Sequence, residues 1–209
     1  MVENAPQPGS SHPGGPQHSG PQPGTLASAV VLVTGIMAAG KSTVAQALAE
    51  RLPRAVHVRG DVFRRMVVSG REEMVPGASE EAAAQLRLRY RLSASVADTY
   101  AGEGWAAVVQ DIVIGADLAE YVGLVRTRPL YVVVLAPGPT AVAVREAGRG
   151  KTGYGAGWTV EALDRVFREE TPRIGLWLDT ADLGVAETVD AILAGLDTAR
   201  VEDGDLPGR

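Results

Sequence analysis

The segment GIMAAGKS at residues 35–42 limits the possible folds of this chain more than any other feature. It matches the pattern G-x-x-x-x-G-K-[ST] at every fixed position. A β-branched apolar run ends at Thr34 and a helical pattern starts beside Lys41, which is the strand-turn-helix context in which such a loop binds phosphate. The spacing G-x-G-x-x-G of a dinucleotide-binding loop does not occur at this turn. The segment therefore predicts a site for a nucleoside triphosphate.

Each part of this loop has a physical reason to hold phosphate. Backbone N–H groups converge on the β-phosphate, and the helix N-terminus adds partial positive charge there. The Lys41 ammonium would span the β- and γ-phosphates, and the Ser42 hydroxyl would join the Mg²⁺ shell. The loop residues that we assign to nucleotide binding are Gly35, Ala38, Ala39, Gly40, Lys41, Ser42 and Thr43.

Short apolar runs alternate with helical patterns along the chain, which predicts an α/β fold with a parallel sheet covered on both faces. Strands are predicted at 29–34, 55–59, 105–110, 130–136 and 175–178. Helices are predicted at 42–51, 62–68, 79–102, 139–147, 159–168 and 185–196. The alternating residues 87–91 could indicate a strand, but they lie within a long alanine-rich helical stretch, so the helix is preferred. Their arginines would face solvent or the acceptor cleft.

Composition divides the chain into three parts. Residues 1–25 are rich in Pro, Gly, Gln, Ser and His and predict a disordered tail, residues 26–198 one domain, and residues 199–209 a frayed acidic end. Neither a signal peptide nor an apolar run long enough for a membrane span is recognised, so a cytoplasmic location is expected. The net charge of -5 gives no indication of a nucleic-acid or anionic-membrane partner.

The residue types that are rare or missing in this chain exclude several classes of active site. The chain has no cysteine, which excludes thiolate nucleophiles and thiolate zinc sites, and His57 is its only histidine outside the tail. Its only asparagine is Asn4, so the Asn-Lys-x-Asp guanine signature of Ras-like GTPases is lacking. The only lysines are Lys41 and Lys151, in a chain that otherwise uses arginine. The small size and these exclusions favour a kinase over a switch or a motor.

Two aspartates follow predicted strands and should lie beside the phosphate loop, since ligands in open parallel sheets bind at the carboxyl edge. Asp61 follows the second strand and Asp111 ends the third. One would orient or deprotonate an acceptor hydroxyl while the other holds Mg²⁺ together with Ser42, and which of the two is the base stays open. The structural alternatives are an N-cap for Asp61 and a strand-end turn for Asp111.

Basic residues occur at two further places. Arg64 and Arg65 follow Asp61 within one turn, so at least one can face the cleft and bind an anionic or polar acceptor. Arg145, Arg149 and Lys151 lie in or beside the glycine-rich run REAGRGKTGYGAGW at 145–158, which predicts a mobile loop. If that loop closes over the phosphates, its cations would stabilise the transferring group; the alternative is a solvated basic loop.

These motifs resemble the P-loop small-molecule kinases related to nucleoside monophosphate kinases, and most of all the chloramphenicol phosphotransferase-like group. The resemblance rests on GIMAAGKSTVAQAL, VRGDVFRRM, VVQDIVIG, VREAGRGKTGYG and LDTADLGVAETVDAIL. It implies a five-stranded parallel sheet of order 2-3-1-4-5, ATP as donor, and Asp61 as base. It also implies that Arg145 and Arg149 are lid arginines that contact the nucleotide, and that Thr180 lies beside the purine.

The sequence therefore predicts an ATP- and Mg²⁺-dependent kinase that phosphorylates a hydroxyl of a small molecule, such as an antibiotic or another natural product. The alternatives are a nucleotide or polynucleotide kinase and a non-catalytic NTP-binding regulatory module. The acceptor, the preference between ATP and GTP, and the oligomeric state stay open at this point.

Overall fold

The computed structural model describes residues 26–148 and 157–205, which form a layered α/β fold around one parallel sheet. The strands are β1 (Val30–Thr34), β2 (Ala55–Arg59), β3 (Ala106–Gln110), β4 (Leu130–Leu135) and β5 (Leu176–Leu178). Their order is β2-β3-β1-β4-β5, and every neighbouring pair is parallel. This order confirms the predicted fold class.

The three central strands explain why the sheet forms from these runs. Every residue of β1, β3 and β4 is buried, and the strands consist mainly of Val, Leu and Ala. Strands that are apolar along their whole length can only be accommodated when helices cover both faces of the sheet. In the register of β1 with β3, Val33 is paired with Gln110. The carboxyl ends of both strands therefore reach the same edge.

Eight α-helices occur in the described residues and surround the sheet. They are α1 (Lys41–Arg51), α2 (Gly60–Arg65), α3 (Glu80–Gly102), α4 (Asp117–Leu124), α5 (Pro139–Ala147), α6 (Val160–Glu170), α7 (Val185–Ala194) and α8 (Leu196–Ala199). Helix α1 packs against α7, whereas α3 packs against α4 and β3. Among the described residues, no helix combines the length and apolarity needed to cross a membrane.

The long helix α3 places an arginine at the site edge of the sheet. Ser79 caps it by accepting a hydrogen bond from the Ala82 N–H at 3.0 Å. Its Tyr90 packs edge-on against Tyr121 of α4, with 5.7 Å between the ring centroids. The Tyr90 hydroxyl donates to the carbonyl of Ile112 at 2.7 Å. Residues 87–91 are thus helical, as predicted, and α3 is fixed against the chain that follows β3.

Two predicted helices need correction, and one helix was missed. Helix α4 was not predicted; it has only eight residues and begins without a side-chain cap, so the sequence carries little signal for it. Helix α2 begins at Gly60 and ends at Arg65, earlier than the predicted 62–68. The predicted helix 185–196 is interrupted at Gly195, where an added Cβ would lie 2.7 Å from Leu176 Cδ2. That close packing against β5 divides the segment into α7 and α8.

The chain after α8 returns to the sheet. Ala199 and Val201 are buried, and the Val201 N–H donates to the Leu130 carbonyl at 2.9 Å. Arg200 forms an antiparallel bridge with Tyr131. Residues 199–201 are therefore not frayed as expected. The buried side chains of Ala199 and Val201 and the Val201 hydrogen bond hold this segment against β4.

Candidate active site

The phosphate loop connects β1 to α1 in a conformation that few side chains tolerate. Gly35, Ala38 and Gly40 have positive φ angles of 139°, 61° and 93°. A Cβ on Gly35 would lie 2.4 Å from the Leu135 carbonyl oxygen, so the loop runs directly against the end of β4. Left-handed residues in such a turn direct successive N–H groups into one concavity, which favours an anion. The loop geometry therefore fits the predicted polyphosphate site.

Lys41 and Ser42 begin the 11-residue helix α1, at the end where a helix dipole favours negative charge. Lys41 is only 7% exposed, and its Nζ donates to the Ile36 carbonyl at 2.7 Å. The Ser42 hydroxyl donates to Gln110 Oε1 at 3.1 Å. Both side chains line the main cavity of the described residues, as do Ala38, Gly40 and Thr43. The arrangement suits an anion at the N-terminus of α1.

Arg145 joins the phosphate loop to the loop after β5. Its Nη1 donates to the Ala39 carbonyl at 3.4 Å, and its Nη2 donates to the carbonyls of Thr180 and Ala181. Thr180 is buried, and its hydroxyl accepts a bond from Arg145 at 3.5 Å. The structure thus brings together Arg145, Thr180 and the phosphate loop, which the sequence assigned to the nucleotide separately. Arg149 and Lys151 lie outside the described residues.

Asp61 lies at the carboxyl edge of the sheet, in the first turn of α2. It lines the same cavity as the phosphate loop, and its side chain is half exposed. Helix α2 shows no side-chain cap and begins one residue before Asp61, so the N-cap alternative does not describe this aspartate. Its carboxylate forms an ion pair with Arg65 at 2.9 Å. A half-exposed carboxylate thus lines the same cavity as the phosphate loop.

Asp111 has a different environment. It is fully buried, and its carboxylate accepts hydrogen bonds from Arg89 Nε at 2.7 Å and from the Ile112 N–H at 2.7 Å. Burial lowers the pKa of the Arg89 guanidinium, while Tyr90 and Asp61 oppose that shift. A Cβ on Gly60 would lie 1.7 Å from Asp111 Oδ2. With Arg89 and Gly60 against it, Asp111 fixes the start of α2 relative to β3.

The sequence assigned Mg²⁺ to Ser42 and Asp111, and in the structure both residues line the same cavity while their hydrogen-bond partners differ. The side chain beside Ser42 is Gln110, which sequence reasoning missed although it is the residue directly before Asp111. The described residues contain no cluster of three or more His, Cys, Asp or Glu side chains able to hold a metal alone. Any Mg²⁺ here would need ligands from the nucleotide and from water beside the Ser42 hydroxyl.

Arg64 and Arg65 point to different surroundings. Arg64 lines the cavity and forms an ion pair with Glu73 in the segment after α2. Arg65 does not line the cavity and pairs with Asp61 on its own helix. The prediction that at least one of them faces the cleft agrees with the position of Arg64, but that side chain already has an anionic partner.

Further residues of the cavity were not assigned from the sequence. The cavity has a volume of about 1010 Å³ and extends from the phosphate loop past Asp61 to Trp158. Phe63, Leu86 and Arg89 line it from α2 and α3. Only Arg89 carried a signal in the sequence, since it lies in the arginine-rich run at 87–91 that was expected to face solvent or the acceptor cleft.

Comparison with known proteins is consistent with this geometry. A family model described as an AAA domain matches residues 30–170. A search of curated proteins gives no match.

Solved structures share the fold at low sequence identity. A sugar kinase from Janibacter sp. HTCC2649 superposes with a TM-score of 0.60 and 16% identity, covering 86% of this chain and 98% of the kinase. A tunicamycin resistance protein from Deinococcus radiodurans gives 0.57 and 17%, covering 83% and 98%. A gluconokinase from Sinorhizobium meliloti 1021 gives 0.55 and 19%, covering 81% and 91%. The matched residues include the phosphate loop and all of β1 to β4, and the chain therefore belongs to the AAA domain family, with the P-loop kinase fold.

Proposed function

We propose that this protein is an ATP-dependent phosphotransferase that transfers the γ-phosphoryl group to a hydroxyl of a small molecule. The observation that carries the proposal is that the phosphate loop and Asp61 line one continuous cavity. Phosphoryl transfer requires little more than donor phosphates and an acceptor hydroxyl held in line beside a proton acceptor. A cavity that is polar at the phosphate loop and continues past a carboxylate meets that requirement.

In this proposal Lys41 and the loop amides hold the β- and γ-phosphates, and Arg145 adds positive charge beside the loop. The Asp61 carboxylate accepts the proton of the acceptor hydroxyl while the new bond forms between that oxygen and the γ-phosphorus. The bond from the γ-phosphorus to the bridging oxygen breaks, and ADP leaves with the bonding electrons. Mg²⁺, when bound, would neutralise charge on the β- and γ-phosphate oxygens. The Ser42 hydroxyl would orient it, while the buried Asp111–Arg89 pair positions the start of α2.

Natural products, including antibiotics, are the acceptors that we propose to test first. One of the structures with the same fold is a tunicamycin resistance protein, and others are a sugar kinase and a gluconokinase. These names support a library that contains hydroxylated antibiotics, sugars and sugar acids. The acidic balance of the chain, with a pI near 5.3, gives no support to a polynucleotide acceptor.

The test is a screen of this library with ATP and Mg²⁺, read by mass spectrometry for addition of a phosphoryl group. Any active acceptor is then assayed with Lys41→Arg, which keeps the charge but replaces a compact ammonium by a planar fork. We expect kcat to fall by about a hundredfold, as for loss of a group that stabilises charge in the transition state. Asp190→Asn, which alters an exposed pair with Arg51, is the control and should keep full activity.

Two results would contradict the proposal. Full activity of Lys41→Arg would mean that the phosphate loop does not perform the transfer. Tight binding of ATP without transfer to any acceptor would favour the regulatory-module alternative instead.

A further inference from the structure

The part of the cavity that lies beyond Asp61 has mostly apolar walls, with a few charged side chains among them. It is lined by residues of α2, α3 and the segment between them, and by Trp158. Its apolar lining includes Phe63, Val67, Met74, Leu86, Leu92 and Trp158. This half of the cavity is therefore a lipophilic chamber that opens directly onto the phosphate loop.

Several of these side chains are exposed to an unusual degree for large apolar residues. Met74 is 50% exposed, and Leu88 and Leu92 are each 42% exposed. They lie in one continuous concave surface, whereas isolated exposed leucines on a convex surface would need no explanation. Covering them with an apolar ligand would release the water that contacts them, which favours binding.

The two arginines of the chamber are already paired within the protein, and Glu72, which also lines the cavity, adds negative charge. Among the described residues, the cations that line the cavity beyond the phosphate loop are Arg64 and Arg89. Arg64 is paired with Glu73, and Arg89 is paired with the buried Asp111. Capture of a carboxylate or phosphate normally uses an arginine whose donors are available to it. An anionic acceptor bound at Arg89 would leave the buried Asp111 without its partner, and one bound at Arg64 would compete with Glu73, which also pairs with Arg71.

We infer that the acceptor of this enzyme is an uncharged, largely apolar molecule that carries a hydroxyl group, and that an anionic hydroxy acid or nucleoside monophosphate is not its acceptor. The inference rests on the proposed kinase activity, because only an enzyme has an acceptor. The binding preference for uncharged over anionic ligands can nevertheless be measured without catalysis. The hydroxyl would meet Asp61 at the mouth of the chamber, with the apolar body between Phe63 and Trp158.

The experiment uses matched pairs of ligands, each an aromatic or branched aliphatic hydroxy acid and its methyl ester. The two members share the hydroxyl and the carbon skeleton of the acid, and the ester replaces the anionic carboxylate by an uncharged group with one additional methyl. Binding to the full chain with ATP analogue and Mg²⁺ present is measured by calorimetry, and transfer is measured separately by mass spectrometry. We expect the esters to bind at least about tenfold more tightly than the acids, because the acid carries an unpaired charge into an apolar site.

A variant that removes the anionic partner of Arg64 tests whether this ion pair disfavours the binding of anionic ligands. Glu73→Gln removes the anionic partner of Arg64, and of the more distant Arg71, at a surface position where the fold should tolerate the change, since the Glu73 side chain is 59% exposed. The acid-to-ester affinity ratio should then shift toward the acid by about tenfold. The matched control is Asp190→Asn, which frees Arg51 at the opposite end of α1 from the phosphate loop and should leave the ratio unchanged.

The outcomes separate this inference from the proposed function. Ester binding without phosphoryl transfer to any ester would support the inference and count against the kinase activity. Transfer to acids in preference to esters would overturn the inference while supporting the kinase activity. Equal binding of acids and esters, or no binding of either, would overturn the inference.

Discussion

Gly60 lies directly against the carboxylate of Asp111: a Cβ atom built on Gly60 would be 1.7 Å from Asp111 Oδ2. Because Asp111 is buried and paired with Arg89, moving its carboxylate would disturb that ion pair. The close approach brings the first turn of α2, which carries Asp61, next to the end of β3. A side chain at position 60 would therefore change both the buried ion pair and the position of Asp61.

Gly60→Ala should lower the free energy of unfolding by about 2 kcal/mol or more, as expected when extra volume is forced into a packed interior. Urea denaturation measures the change. Gly102→Ala is the control, because an added Cβ there meets no atom within 4 Å and alanine favours a helix. Equal unfolding midpoints for Gly60→Ala and the wild type would show that the two residues are not packed as described.

Asp61→Asn should reduce kcat by about 10²-fold to 10⁴-fold while the affinity for ATP stays within about threefold, because the amide cannot accept the hydroxyl proton. Rapid-quench kinetics and nucleotide binding measure the two effects. Since Asp61 also pairs with Arg65, the variant Arg65→Gln breaks the same ion pair but keeps the carboxylate. It should lose far less activity. Similar losses in both variants would show that the ion pair matters and that proton transfer to Asp61 does not.

Ser42→Ala should raise the Mg²⁺ concentration required for half-maximal activity by about tenfold or more, because the variant loses the hydroxyl assigned to the metal shell. Gln110→Ala should have a smaller effect in the same direction, because Gln110 only orients the hydroxyl through the 3.1 Å hydrogen bond. Activity titrated with Mg²⁺ at fixed ATP measures both. An unchanged requirement in Ser42→Ala would place the metal elsewhere.

His57 should make the stability of the protein depend on pH in the mildly acidic range. Its pKa is lowered from 6.5, mainly by burial and further by the positive charge of Arg59, while Asp61 acts in the opposite direction. The unfolded chain therefore binds a proton near pH 6.5 before the folded protein does. The free energy of unfolding should be highest above pH 6.5 and should fall as the pH drops below that value.

Denaturation of wild type and His57→Leu between pH 8 and pH 5 measures this contribution. The wild type should lose more stability across that range than the variant, which has no titrating group at this position. Parallel pH profiles for the two proteins would show that the environment of His57 does not perturb its titration.

The parts of the fold that depend on local pattern could be predicted from the sequence. The phosphate loop at 35–42 is recognised by the spacing of its Gly, Lys and Ser residues. The apolar runs that become β1 and β4 are long enough to be recognised without knowledge of the neighbouring strands. Helix α4 lacked both length and a side-chain cap, so no local signal distinguished it.

The identity of the residue beside Ser42 could not be predicted, for a reason that lies in strand geometry. Gln110 and Asp111 are consecutive, and consecutive side chains at a strand point to opposite sides. Which of them meets Ser42 depends on the register of β3 beside β1, where Gln110 pairs with Val33. The sequence shows that Asp111 follows β3. Its pairing with Arg89, 22 residues away, could not be predicted, because it depends on how α3 packs on the sheet.

The undivided cavity also offers a route to selective inhibition. Because the phosphate loop and the chamber near Trp158 belong to one space, a single compound could join a polyphosphate mimic to a lipophilic head. Binding of the first half would raise the effective concentration of the second, so the linked compound should bind far more tightly than either half alone. The length of tether that gives the tightest binding would then measure, in solution, the separation between the phosphate loop and the chamber.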